Sequence, residues 1–148
     1  MTTRALGTIA TVATLAAAVL TGCGNQYDDY CHSVRAKQTA LSRILDAGGN
    51  AALLKALPAF RDLKSQSPTD IRPQWQVLVT ALSGLQTALA DAHVDAATYD
   101  RDTTTVSKQQ KDAIDAAAAQ LGTQRVVDAL AAVAQETRDV CHTPLTLG

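Results

Sequence analysis

Residues Ile71 to Leu89, IRPQWQVLVTALSGLQTAL, carry the pattern that decides the fold. Large apolar side chains recur in this stretch at alternating steps of four and three residues, which is the spacing of one face of an α-helix. The pattern extends over about five helical turns and predicts a continuous seam for packing against other helices. The seam residues are Ile71, Trp75, Leu78, Leu82, Leu85 and Leu89.

Similar apolar spacing predicts helices in four further segments. These segments are 26–47, 51–65, 107–121 and 123–142. Pro58 falls inside the second of them, so we expect a kink there or a division into two short helices. Ser107 and Gln110 have the spacing of a capping box at the start of the fourth predicted helix. No strand-like alternation is present, and the predicted fold class is all-α, an antiparallel bundle of four to five helices.

The segment 93–106 separates two predicted helices and is polar, with three aspartates and three consecutive threonines. We expect one short turn of helix at Val94–Tyr99. Asp95, Asp100 and Asp102 permit a calcium interpretation, but their spacing lacks the central glycine and distal glutamate of an EF-hand. A solvated acidic loop is therefore favoured, and the sequence leaves open whether it is functional or disordered.

The first 22 residues have the organisation of a bacterial export signal. Arg4 supplies a positive charge, an apolar run follows, and Leu20-Thr21-Gly22-Cys23 forms a lipobox. The apolar run of about 16 residues is shorter than the roughly 20 that span a bilayer, which favours cleavage over a retained transmembrane helix. An ordinary secretory signal with a chance cysteine is the alternative. The predicted organisation is a signal peptide at 1–22, a lipidated N-terminus and short tether at 23–30, and a helical bundle domain at 31–148.

Lipidation of Cys23 leaves Cys31 and Cys141 as the remaining cysteines. Two thiols in an oxidising, exported compartment usually pair, so we expect a disulfide between them that ties the termini of the bundle together. His32 and His142 follow the two cysteines and permit a Cys₂His₂ metal site, but neighbouring helical residues point about 100° apart. We therefore expect no metal ion. The predicted tether at 23–30 could extend at most about 28 Å between the lipid on Cys23 and the disulfide at Cys31.

Composition and motifs argue against several classes of function. The net charge is −1 without a basic stripe, which disfavours nucleic acid binding. Aromatic residues make up 3% of the chain, which disfavours recognition of sugars or bases by stacking. The known catalytic and phosphate-binding motifs are missing, so we expect no catalytic residue and no cofactor. The single glutamate, Glu136, is expected on the side of the last helix opposite Leu130 and Val133.

Four stretches carry a family resemblance that covers the whole chain: Leu20–Cys23, Tyr30-Cys31, Trp75, and Arg138-Asp139-Val140-Cys141. Through them the chain resembles the small Ala-rich bacterial lipoproteins of high-GC Gram-positive type, a family without an assigned activity. The resemblance implies a cysteine bearing diacylglycerol and palmitate-type acyl chains, on the extracytoplasmic side of the cell membrane. It provides no ligand-binding residue to transfer.

These features predict a lipid-anchored, extracytoplasmic helical module of the cell envelope with a binding or accessory role and no enzymatic activity. Its partners would be the membrane, through the lipid on Cys23, and an unknown envelope protein. The alternative is a small-ligand carrier with a cavity between helices around Trp75. The simplest interpretation of Trp75 itself is a core anchor, because it lies on the seam of the third helix.

Overall fold

The computed structural model describes residues 24–49 and 51–145, and the signal segment and Cys23 lie outside this range. The described residues form five α-helices and no β-strand, which confirms the all-α fold class. None of these five helices is both long enough and apolar enough to cross a bilayer. The helices are α1 (Gly24–Asp46), α2 (Ala52–Gln66), α3 (Arg72–Asp91), α4 (Lys108–Leu121) and α5 (Gln124–Asp139).

Helix α3 is the central element, because it packs against α2, α4 and α5. Pro73 lies in its first turn, where the missing N–H costs no intrahelical hydrogen bond. The predicted seam is buried at every position except Leu85, which is half-buried beside a smaller cluster around Leu89 and Ile114. The seam residues therefore pack into two adjoining parts of the core, and the larger part surrounds Trp75.

Helix α1 starts earlier than the predicted domain boundary at Cys31. Residues 24–30, which the sequence assigns to a tether, are helical and continuous with the bundle. The Tyr27 hydroxyl donates to Asp70 Oδ2 at 2.9 Å, and Tyr30 is completely buried. These tertiary contacts extend the helix by two turns beyond the disulfide, so at most Cys23 remains of the expected tether.

Helix α2 is continuous through Pro58, so of the two predicted alternatives the division into two short helices is wrong, and the kink stays a prediction. Proline inside a helix removes one backbone hydrogen bond and costs about 3 kcal/mol relative to alanine. The ring of Pro58 lies on the exposed side of α2, while the opposite side is buried in the core. Burial of that apolar side offsets the lost hydrogen bond. The buried residues are Ala52, Ala56, Leu57, Phe60 and Leu63.

The capping box at the start of α4 is confirmed, with the Ser107 side chain accepting from Gln110 N and the Gln110 side chain accepting from Ser107 N. Helix α4 runs back along α3, and the amide of Gln110 donates to Asp91 O at the end of α3. Helix α5 also packs on α3 but has only slight contact with α4. The last two helices thus pack on α3 rather than on each other.

The segment between α3 and α4 forms local turns, as predicted at 94–99. Tyr99 N donates to Asp95 O at 2.9 Å, and Ala97 N donates to Asp95 Oδ1 at 2.7 Å. Val94, Tyr99 and Val106 pack against the smaller cluster around Leu89. The loop therefore has its own apolar contacts with the bundle in addition to its exposed polar groups.

The Cys31–Cys141 disulfide is present, with Cα atoms 4.9 Å apart, and it joins α1 to the segment that follows α5. Both cysteines are buried. Beyond the bridge, the chain follows α1, where the Gln38 amide donates to Pro144 O at 2.9 Å. The disulfide thus fixes the C-terminal end of the domain against its first helix.

The double substitution Cys31→Ser with Cys141→Ser should lower the melting temperature markedly while retaining the helical far-ultraviolet circular dichroism spectrum. The bridge closes a loop with a sequence separation of 110 residues, and the chain-entropy model assigns roughly 4–5 kcal/mol to a loop near that size. Thermal melts of the oxidised and the double-serine domain measure the difference. Thiol labelling of the unreduced, unfolded domain is the control, and two reactive thiols there would contradict the bridge.

Substitution Leu82→Ala should lower the free energy of unfolding by roughly 2–5 kcal/mol, because it leaves a cavity in a buried part of the seam. Leu85→Ala is the matched control, since it makes the same chemical change one turn later at a half-buried position. Urea denaturation of both variants measures the costs. An equal loss for the two leucines would show that Leu82 does not lie deeper in the core.

Candidate functional site

Trp75 is a core anchor. Its side chain is completely buried, and its indole N–H donates to the Tyr30 hydroxyl at 3.0 Å. The ring also packs against Phe60, with centroids 5.7 Å apart and planes tilted by 48°. The tryptophan therefore joins α1, α2 and α3, and all of its polar capacity is used within the core.

Burial raises the pKa of Tyr30 to about 12, although the hydrogen bond from Trp75 lowers it. The nearby carboxylates of Glu136 and Asp70 raise the pKa further. The Tyr30 hydroxyl is therefore neutral at physiological pH. The neutral Tyr30 hydroxyl accepts the hydrogen bond from the Trp75 indole N–H and retains its own proton.

Glu136 lies on the core-facing side of α5, so its expected position opposite Val133 is wrong. The two residues are three positions apart and share one side of the helix, and Val133 is completely buried. Glu136 Oε1 is buried without a hydrogen-bond partner in the described part of the chain. Desolvation raises the pKa of Glu136, and the charges of Asp70 and Asp139 raise it further.

The residues considered for metal binding do not converge on one site. Both thiols of the Cys/His set are in the disulfide, and His32 and His142 are exposed. In the acidic loop, Asp100 Oδ1 accepts from the backbone N–H groups of Asp102 and Thr103. Across residues 24–49 and 51–145, no group of three or more His, Cys, Asp or Glu side chains is placed to hold a metal ion.

An open groove lies between α3, α4 and α5. Its volume is about 500 Å³, within the usual range for small-molecule sites of roughly 300–1,000 Å³. It shares Thr80, Gly84 and Ala117 with a second groove of about 550 Å³ that continues towards Asp91. A Cβ atom at Gly84 would meet nothing within 4 Å, so the middle of the combined groove is open.

The groove is largely apolar and has few charges. Val77, Ala81 and Val126 are apolar lining residues, and Arg125 supplies a positive charge. Trp75 does not line either part of the groove.

Sequence reasoning missed the groove, although it has a signal in the sequence. No charged residue occurs between Arg72 and Asp91, even though about half of that helix faces solvent. Surface helices usually carry charges on their outer face. An exposed helical face without charged residues is therefore the signal in the sequence that marks this surface.

No protein-family model, no curated protein and no solved structure matches this chain. Of the predicted site residues, Cys31 and Cys141 are joined in the disulfide, and Cys23 lies immediately before the first described residue.

Substitution Glu136→Gln should raise the melting temperature at pH 7, because it removes a poorly solvated charge near Asp70. The folded protein holds the Glu136 proton more tightly than the unfolded chain does. This residue therefore favours folding at pH values below its unfolded pKa, and the advantage is lost as the pH rises through the higher folded pKa. The difference in melting temperature between the variant and the wild type should decrease as the pH falls.

Asp128→Asn is the matched control for Glu136→Gln, because it removes one negative charge from an exposed position on the same helix. Melting curves of wild type and both variants between pH 3 and pH 8 provide the comparison. If Glu136→Gln followed the wild-type pH dependence at every pH, the raised pKa would be contradicted.

Proposed function

We propose that this protein is a lipid-anchored, extracytoplasmic binding or accessory module of the cell envelope, without catalytic activity. The observation that carries the proposal is the lipobox Leu20–Cys23, which directly precedes the helical domain. In this proposal Cys23 becomes the lipid-bearing N-terminus after removal of residues 1–22. The buried disulfide agrees with export, because such bridges persist in oxidising compartments.

A binding role is supported by the surface of the domain. The groove along α3 is open, uncharged over most of its length and not covered by any residue of the described ranges 24–49 and 51–145. Uncharged concave surfaces of this kind are typical of binding sites rather than of ordinary solvated faces. The likeness to small Ala-rich lipoproteins agrees with the proposed location at the cell envelope.

A small-ligand carrier is the second candidate, and the groove volume of about 500 Å³ is the observation that favours it. The ligand would then occupy the face of α3 that includes Gly84 rather than a cavity around Trp75. Native mass spectrometry of the purified protein distinguishes the two roles. A small molecule that is retained by the wild type and lost in Gly84→Arg would support the carrier.

The test of the anchor is Cys23→Ala, which should abolish acylation and prevent signal removal by the lipoprotein-specific peptidase. Membrane fractionation and intact mass of both proteins measure the outcome, with Cys31→Ser as the control that leaves the lipobox unchanged. A photo-crosslinking residue at Gly84, compared with one at exposed Arg35 on α1, should then capture a specific envelope protein. A wild-type protein without any lipid mass would exclude the proposed anchor.

A further inference from the structure

The first helix leaves almost no free chain between the lipidation position and the folded domain. Helix α1 begins at Gly24, the residue that follows Cys23. Consecutive Cα atoms are about 3.8 Å apart, so the lipid-bearing residue lies within one residue of the helix. This consequence depends on the proposed function, which supplies the lipid on Cys23. A free tether over all of 23–30 would have let the domain move above the bilayer, whereas the helix predicted from residue 26 already shortens it.

The start of α1 is held by the corner between α2 and α3. The Gln26 amide donates to Ser67 O at 3.4 Å, and the Tyr27 hydroxyl donates to Asp70 Oδ2 at 2.9 Å. The corner itself is compact, because Ser67 is completely buried and Arg72 Nε donates to its carbonyl oxygen at 3.1 Å. The first turns of α1 therefore move together with the corner, as one end of the bundle.

The segment 92–107 lies at the opposite end of the bundle. It follows the C-terminus of α3, whereas the α2–α3 corner precedes the N-terminus of the same helix. A helix of 20 residues is about 30 Å long. The loop begins at that far end, and Arg101 Nε donates to Asp115 Oδ2 at 2.5 Å, so the part around Thr103 lies beside α4.

We propose that the α2–α3 corner (residues 67–71) and the first turns of α1 rest against the headgroups of the bilayer, with the loop 92–107 pointing away from it. The length of chain outside the domain is the main argument, because one residue cannot hold this end of the bundle far from the lipid. The corner and the start of α1 expose polar side chains, namely those of Asp28, Asp29, Thr69 and Asp70. Such a surface fits hydrated headgroups and does not insert into the hydrocarbon.

The arrangement has a consequence for the proposed binding role. The groove runs along α3 from Pro73, near the corner, to Asp91, near the distal loop. A partner in the groove would therefore lie beside the domain above the membrane. The distal loop would not contact the headgroups.

The test uses the full lipidated protein in vesicles of phosphatidylcholine, whose zwitterionic headgroups do not repel the three aspartates. A thiol-reactive fluorophore is attached, without reduction of the disulfide, to Thr69→Cys at the corner or to Thr103→Cys at the distal loop. Both native residues are exposed threonines, so the two labelled variants are matched. Phosphatidylcholine with a nitroxide on its headgroup should quench the label at position 69 several-fold more strongly than the label at position 103.

A second pair of proteins carries a Gly/Ser linker of about 12 residues between Cys23 and Gly24, with a root-mean-square span of roughly 20 Å. The linker should reduce quenching at position 69 towards the level at position 103. Equal quenching at the two positions without the linker, or quenching that the linker does not change, would overturn the proposed docking. Intact mass is measured on the same samples, so a failure of docking with the lipid present leaves the anchor standing, whereas a missing lipid overturns both.

Discussion

Burial of the α3 seam around Trp75 is the interaction on which the rest of the domain depends. The indole contacts Phe60 on α2 and donates to Tyr30 on α1, so one side chain joins three helices. Helix α3 also supplies the surface on which α4 and α5 pack. Its apolar side chains therefore stabilise the bundle, while its uncharged outer face forms one wall of the groove. The same helix thus contributes to both the core and the groove.

The disulfide stabilises this core, whereas the buried Glu136 carboxylate destabilises it. The Cys31–Cys141 bridge holds the C-terminal segment against α1 and restricts the unfolded chain. Glu136 Oε1, in contrast, is buried close to Asp70 without a hydrogen-bond partner among the described residues, which costs stability when the carboxylate is charged. Both features lie near Tyr30. The disulfide and the raised pKa of Glu136 are therefore found in the same part of the bundle.

In the proposed arrangement, the lipid anchor and the α2–α3 corner lie at one end of the bundle and the groove lies along its side. The lipid on Cys23 would hold the end of the bundle that contains the α2–α3 corner. The groove then extends along α3 away from that end, towards a loop with its own apolar contacts to Leu89 and Ile114. In this arrangement binding and anchoring use different surfaces, so a partner could bind the groove without displacing the domain from the membrane.

The sequence by itself determined the features that depend on local periodicity, local capping or simple counting. The spacing of the α3 seam, the reciprocal cap of Ser107 and Gln110, and the pairing of Cys31 with Cys141 all belong to this group. Tertiary structure decided which of several apolar or polar faces meets a neighbour, because helical periodicity does not contain that information. Val127 is 47% exposed despite its apolar side chain, while Glu136 is directed towards the core. The start of α1 at Gly24 and the open face at Gly84 were decided in the same way, by contacts between residues distant in the chain.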